Sequence, residues 1–362
     1  ARPDRRQRRR AGLDAGGQLM RYEELYVAGT GTWFPPAVDA AEAVTRGWYD
    51  PGAAERHDYR SVTVADEPGA DLAVRAIRTA VARSGHSPDE IALLLYATAN
   101  YQGIDAWNVA SYVQRGALTS RAFAVELRQL SNGGMAGFEL AAGYLLADPS
   151  RRAAVLATGD RFALPGFDRW RADSGVVWGD AGTAVVVSRK PGPARVLSVA
   201  SVSEPELEEM FRGDARFHPS PAPEEMPVDL ERRQREFFAR ADAAQIRSRL
   251  ADGLGEAAYQ ALADADTTVD ELAQVVIPTL GRQLLERHYL RPLKLDLSRT
   301  TWEFARTVGH LGAGDQFAGL DWLLTTGQLR PGDLLLLVGL GAGYVWTCAV
   351  LEMCAPPGWA QP

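Results

Sequence analysis

Two unbroken apolar runs, Ile91–Thr98 and Leu334–Leu340, limit what this chain can fold into. Each has the length of a strand, and neither alternates with polar residues as a half-exposed strand would. Strands of this kind are covered on both faces. Around them the chain alternates strand-like with helix-like segments, which predicts a layered α/β architecture. Ala70–Ser84 repeats apolar residues at helical spacing (Leu72, Ala73, Ala76, Ile77, Ala80, Val81) and stops at Gly85. Helices are also expected at Ala106–Gln114, at the Gly- and Ala-rich stretch Gly133–Ala147, and at Gly281–Tyr289. A long helical stretch is expected from Arg235 to Ala263. Strands are expected at Leu25–Thr32, Ala122–Leu127, Ala153–Thr158, Thr183–Ser188, Arg195–Val202, Leu272–Pro278 and Val345–Glu352.

The element order of the first half recurs in the second, with Leu272–Pro278 in the place of Ile91–Thr98. This predicts an internal duplication, with halves at 20–190 and 191–362. Residues 204–240 interrupt the second half. Their Pro-, Glu- and Asp-rich start reads as an inserted loop or lid. Residues 1–19 are dense in arginine but have no apolar core or small-residue cleavage site. They read as a disordered leader outside the fold, not a secretory signal.

Composition excludes several classes. A net charge of −7 over 362 residues does not favour nucleic acid or an anionic membrane. No apolar run approaches the roughly 20 residues of a membrane-spanning helix. Cys348 and Cys354 lie close together at the end of the chain and suggest neither a disulfide framework nor a metal site. A cytoplasmic protein without metal is expected. His57, His86, His218 and His288 stand in polar surroundings and read as surface residues. Arg232, Arg233, Arg235 and Arg240 form a basic cluster suited to an acidic protein or a phosphate, or simply a solvated helix face.

Chemistry concentrates at three places. Ser131 stands at the turn between an apolar strand and a small-residue helix, in Leu127-Arg-Gln-Leu-Ser-Asn-Gly-Gly134. A serine hydroxyl is not ionised at neutral pH, so as a nucleophile it needs a positioned base. Val308-Gly-His-Leu-Gly-Ala-Gly-Asp-Gln316 offers His310 and Asp315. Five residues along a regular helix would set these two about 140° apart, but Gly309, Gly312 and Gly314 argue for a turn that returns Asp315 to His310. Asp315 would then also cap the helix beginning at Gln316. Taken singly, Ser131 is a helix cap, His310 a hydrogen-bonded structural histidine and Asp315 another cap. The Gly-rich Gly339-Leu-Gly-Ala-Gly343 lacks the Lys-Ser/Thr of a phosphate-binding loop.

Trp178-Gly-Asp-Ala-Gly-Thr-Ala184, Leu329–Trp346 and the Ser131 turn together resemble the thiolase superfamily, in its ketoacyl synthase III branch, over roughly Tyr22 to Met353. The resemblance implies a five-layered αβαβα fold of two duplicated halves, and a homodimer. Ser131 stands where that family keeps its cysteine. Thr279, in Ile277-Pro-Thr-Leu-Gly281, replaces its histidine, and His310 replaces its asparagine. The pair that supports decarboxylation in the family is therefore absent from its usual positions.

The resemblance thus implies a Ser131–His310–Asp315 catalytic set, with His310 the base and Asp315 its orienter. The oxyanion would be held by the backbone N–H groups of Ser131 and Ala342, and Thr279 becomes a substrate-pocket candidate. The activity implied is an acyltransferase that takes an acyl group, of polyketide origin, through a Ser131 ester to a hydroxyl, amine or thiol of a small molecule in natural-product biosynthesis. The donor would be an acyl-CoA or the phosphopantetheine arm of an acyl carrier protein, with no permanently bound cofactor. Alternatives are a starter-unit ketoacyl synthase performing decarboxylative condensation, and an inactive scaffold homologue.

Overall fold

In a computed structural model of the chain, residues 22, 24–219 and 225–361 are described; the expected leader at 1–19 lies outside them. Among the described residues there are eleven strands: β1 Tyr26–Trp33, β2 Ala37–Asp39, β3 Ser61–Thr63, β4 Ile91–Ala97, β5 Phe123–Leu127, β6 Ala153–Asp160, β7 Ala181–Ser188, β8 Ala194–Ser203, β9 Leu272–Val276, β10 Leu334–Gly341 and β11 Val345–Met353. Nine of them form one sheet in the order β5-β4-β6-β7-β1-β8-β11-β10-β9. The duplication is written in this order. β4 pairs parallel with β6, then β7 and β1 follow antiparallel. β9 likewise pairs parallel with β10, then β11 and β8 follow antiparallel. The place of β5 is taken in the second half by an isolated parallel bridge between Val275 and Thr300. Within the sheet the halves meet where β1 pairs with β8, at Tyr26–Arg195 and Val27–Ala194.

The principal helices are α1 Gly69–Ser84, α2 Val109–Ala117, α3 Gly133–Leu146, α4 Leu230–Phe238, α5 Ala243–Asp264 and α6 Asp315–Thr325. Three apolar clusters separate five layers. In the first cluster α1 and α2 lie on the outer face of the first half-sheet. In the second, α3 and α6 are enclosed between the half-sheets, among Leu95, Leu156 and Val185 of one and Val199, Leu337 and Leu351 of the other. In the third, α5 covers the outer face of the second half-sheet. Leu72 and Ile77 of α1 are fully buried, each stabilising the fold by about 1.5–3 kcal/mol relative to exposure. The small residues of α3 allow close approach in the central layer. A Cβ at Gly133 would lie 2.9 Å from the Ala97 Cβ, and one at Gly134 would lie 2.5 Å from the Ala313 carbonyl oxygen.

Several boundaries depart from expectation, each for a local reason. The helix expected at Ala106–Gln114 is Val109–Ala117, because the Asn108 side chain accepts from Ser111 N and caps it there. The long helix expected from Arg235 to Ala263 is two, since Asp242 caps a fresh start by accepting from Ala244 N and Gln245 N. The helix expected at Gly281–Tyr289 passes after Arg282–Leu285 into a π-helical turn, Glu286–Leu290. The insert at 204–240 is not simply loop: it contains the helix Glu209–Arg212 and all of α4.

Two histidines expected at the surface are buried. His57 and His86 are 5% and 6% exposed. His57 Nε2 donates to the Ser174 carbonyl while Nδ1 accepts from the Tyr49 hydroxyl, both at 2.8 Å. His86 bonds Ser188 Oγ at 2.8 Å and Glu90 at 3.2 Å. Burial pushes the pKa of both below the usual range. His218 is exposed and His288 half-buried.

Candidate active site

β5 delivers Ser131 into a 3₁₀ turn, Leu130–Asn132, which leads straight into α3. Leu130 has a φ of +48°. A non-glycine residue there is strained, and the strain sits immediately before the serine. Asn132, fully buried, donates to Thr347 Oγ1 at 2.9 Å and ties the turn to β11.

His310 arrives on a chain reversed by Gly309, whose φ is +80°. Its backbone is held on both sides: His310 N donates to the Val177 carbonyl and Gly179 N donates to the His310 carbonyl, each at 2.8 Å. The Val177–Gly179 segment is fixed in turn by a buried ion pair. Arg169 reaches both carboxylate oxygens of Asp180, at 2.9 and 2.7 Å, and also donates to the Trp178 carbonyl. Asp180 further accepts from Ala65 N and Phe162 N. Trp178 packs its ring on the His310 imidazole, with centroids 4.6 Å apart.

A 3₁₀ turn, Gly312–Gly314, returns the chain so that Asp315 faces His310. Asp315 Oδ2 lies 2.6 Å from His310 Nδ1 and 2.7 Å from Thr279 N, and Oδ1 lies 2.8 Å from Leu311 N. Two of those neighbours are backbone donors, so Asp315 acts as an acceptor and the proton of a neutral imidazole belongs on Nδ1. That leaves the Nε2 lone pair for Ser131, whose Oγ is 2.8 Å away. His310 and Asp315 are each 4% exposed, while Ser131 is half-buried.

The structure therefore brings Ser131, His310 and Asp315 into one hydrogen-bonded chain. It corrects the expected cap: Asp315 is itself the first helical residue of α6, and its side chain turns back to Leu311 N. Thr279 is buried. It reaches the site through its backbone, donating N–H to Asp315 and accepting from the Tyr59 hydroxyl at 3.2 Å. Ala342 sits in the β10–β11 turn, closed by Tyr344 N donating to the Gly341 carbonyl. This turn rests against the serine's own: a Cβ at Gly341 would lie 2.4 Å from the Gln129 carbonyl oxygen and 2.8 Å from Asn132 N.

Beside His310, Phe162, Phe167 and Trp178 pack ring on ring at 4.7–5.1 Å, and Leu230 of the insert joins them. The insert is bonded to this flank. Leu230 N donates to the Ala172 carbonyl, and Gln234 Nε2 to the buried Asp173 carboxylate at 3.1 Å; burial raises the Asp173 pKa. The basic cluster does not present free charge. Arg232 pairs with Glu225 and Glu236, Arg235 with Glu231, Arg240 with Glu209 and Asp214, and Arg233 lies 3.6 Å from Glu225. Among the described residues, no group of His, Cys, Asp and Glu is placed to hold a metal ion. No described helix is long and apolar enough to cross a membrane.

Comparison with known proteins agrees with this architecture. Residues 262–353 match the model of the 3-oxoacyl-[acyl-carrier-protein] synthase III C-terminal family. The beta-ketoacyl-[acyl-carrier-protein] synthase III of Synechocystis sp. is 24% identical over 304 residues, covering 81% of this chain and 86% of the relative. The solved structure of ChlB3, described as an acyltransferase, is 36% identical with a TM-score of 0.88, covering 93% of this chain and all of ChlB3. A priming beta-ketosynthase from a polyketide biosynthetic pathway shares the fold at 20% identity, with a TM-score of 0.72 over 95% of this chain and all of the other. The chain belongs to the thiolase superfamily, as a ketoacyl synthase III-like protein. That family is one of enzymes acting on acyl groups.

Proposed function

We propose that the protein is an acyltransferase working through an ester on Ser131. The carrying observation is the chain of hydrogen bonds from Ser131 Oγ through His310 to Asp315. Ser131 Oγ attacks the carbonyl carbon of an acyl thioester while His310 Nε2 takes its proton. The C–S bond then breaks and His310 returns that proton to the departing thiol. In the second half-reaction an acceptor hydroxyl, amine or thiol gives its proton to Nε2 and attacks the ester. The C–O bond to Ser131 breaks, and Ser131 recovers its proton. Asp315 holds the imidazole in the required tautomer and favours its charged form. The backbone N–H groups of Ser131 and Ala342 are the proposed oxyanion donors.

No step in this sequence releases carbon dioxide, and Thr279 stands where the family resemblance places a histidine for decarboxylation. ChlB3, described as an acyltransferase, supports the same reading. The donor proposed is an acyl carrier protein or CoA thioester, in the cytoplasm, and the acceptor a small molecule of natural-product biosynthesis. A homodimer belongs to this reading too, since β5 is a sheet edge carrying Phe123 at 63% exposure. Starter-unit condensation is the second reading, favoured by the shared fold of the priming ketosynthase.

Intact-protein mass spectrometry after incubation with a panel of acyl thioesters tests the proposal. Wild type should gain the acyl mass and Ser131→Ala should not. Malonyl donors should be neither required nor decarboxylated. No adduct with any CoA or carrier-protein donor would refute the seryl ester. Carbon dioxide release from malonyl thioester with carbon–carbon bond formation would establish the second reading.

A further inference from the structure

We propose that Asp160 is a positioning residue whose carboxylate holds the loop carrying His310 and Asp315 in register with Ser131. In calling that register catalytic, the inference rests on the acyl-transfer reading above. Asp160 ends β6 and is wholly buried. Oδ1 accepts from Asn100 N at 2.8 Å and from Ala99 N at 3.0 Å. Oδ2 accepts from Ala99 N at 3.0 Å and from Ala313 N at 3.4 Å. One carboxylate thereby ties the loop after β4 to the middle of the turn that returns Asp315 to His310.

The turn is shaped to admit it. Gly312 has a φ of +61°, and a Cβ there would lie 2.4 Å from Asp160 Oδ2. Any side chain at 312 would collide with the carboxylate, so the bare backbone of the turn lies directly on it. All of the hydrogen bonds just described point into the carboxylate. An O–H on Oδ2 would be a donor set against the Ala313 N–H, so protonation weakens the tie between the two loops. The Ala313 bond is the longest and goes first.

Of the titratable groups around Asp160, His310 favours its ionised form by charge. Tyr96 is fully buried, and burial and the Asp160 charge both raise its pKa. Asp315 lies beyond His310 on the same turn, and Arg161 follows in sequence. Burial pushes Asp160 up to about 6, so the switch between the two forms lies within reach of an ordinary assay. A displacement of about 1 Å in a reacting group can cost on the order of 10²-fold in rate.

Amide hydrogen exchange across 305–317 and single-turnover acylation of Ser131, each followed from pH 4.5 to 8.5, test the role. Asp160→Asn should raise exchange in this segment at least tenfold at pH 7.5. It should slow acylation on the order of 10²-fold, with donor affinity unchanged. In wild type the logarithm of the acylation rate should fall more steeply at low pH than in the variant, by the one proton that Asp160 takes up. Unchanged exchange together with an unchanged slope would overturn the proposal. If Asp160→Asn fails to fold, wild-type exchange corrected for its chemical pH dependence gives the same answer. Protection of 305–317 that rises between pH 5 and 7 supports the role, and flat protection refutes it. A wild type that never acylates would sink the seryl ester, while the exchange comparison would still decide the positioning.

Discussion

Asp315→Asn asks most of the proposed chemistry, because it changes one atom type where three bonds meet. Asp315 takes bonds from His310 Nδ1, Thr279 N and Leu311 N at 2.6, 2.7 and 2.8 Å. An asparagine has one accepting oxygen and one donating nitrogen. With its oxygen towards His310 and Thr279, the Leu311 N–H is left facing a donor. Turned round, it bonds Leu311 but sets an NH₂ against Thr279 N–H and forces the His310 proton onto Nε2, where the imidazole no longer accepts from Ser131. Either way one buried N–H is unpaired, at a cost of about 1–3 kcal/mol in stability. Either way the imidazolium also loses its charge partner.

Where a buried triad aspartate holds the tautomer, the same replacement lowers turnover on the order of 10⁴-fold, about 5.5 kcal/mol at 1.36 kcal/mol per factor of ten. Rapid-quench acylation read by intact mass, beside a urea unfolding curve, separates the two effects. The expected outcome is a variant that melts as one folded species and acylates about 10³- to 10⁴-fold more slowly. Acylation within tenfold of wild type in a folded variant would refute the role of Asp315.

Other outcomes follow from the scaffold. Arg169→Met strands the Asp180 carboxylate, which is wholly buried, and should cost about 3–5 kcal/mol in a urea titration; the Arg169→Met/Asp180→Leu double variant should lose less. Gly134→Ala places a Cβ 2.5 Å from the Ala313 carbonyl, so it should lose about 1–3 kcal/mol and slow acylation. Gly143→Ala, in the same helix but with nothing within 4 Å, should gain up to about 1 kcal/mol and leave acylation unchanged. Asp160 rises from 3.8 to about 6 on folding, so folding favours its protonated form. That contribution is present below about pH 4 and is lost as the pH climbs through 6, a change of up to about 3 kcal/mol. The stability of Asp160→Asn relative to wild type should therefore rise between pH 4 and 7, read from paired urea curves.

The architecture was legible because its signals are local. Apolar runs, the strand–turn–helix around Ser131 and the glycines flanking His310 act within a few residues, and the layering followed. Helix starts at Val109 and Ala243 were missed because a single polar side chain, Asn108 or Asp242, decides them within an already polar window. His57 and His86 looked exposed because their burying partners, Ser174 and Ser188, lie 117 and 102 residues away. The Arg232–Arg240 cluster reads in the sequence as open to a partner or as a solvated face, and three of the carboxylates that pair with it, Glu209, Asp214 and Glu225, come from earlier in the same insert. Asp160 carries no sequence signal at all: its partners are backbone N–H groups of two remote loops. The sequence points to the side chain of Thr279, whereas its N–H is what reaches Asp315.

Ser131 and His310 are 179 residues apart in the chain, each just ahead of one of the two helices enclosed in the central layer. Neither half of the molecule can make the bond between them alone, so under the proposed chemistry the reactivity of the serine is a late event in folding. Closing so long a loop adds little to the equilibrium cost but slows the search. During refolding, helical circular dichroism should recover well before Ser131 accepts an acyl group. On the ribosome, the proposed chemistry predicts a nascent chain that accepts no acyl group until residues beyond Asp315 have emerged and packed against the first half. Acylation would then double as a timer for the docking of the two halves.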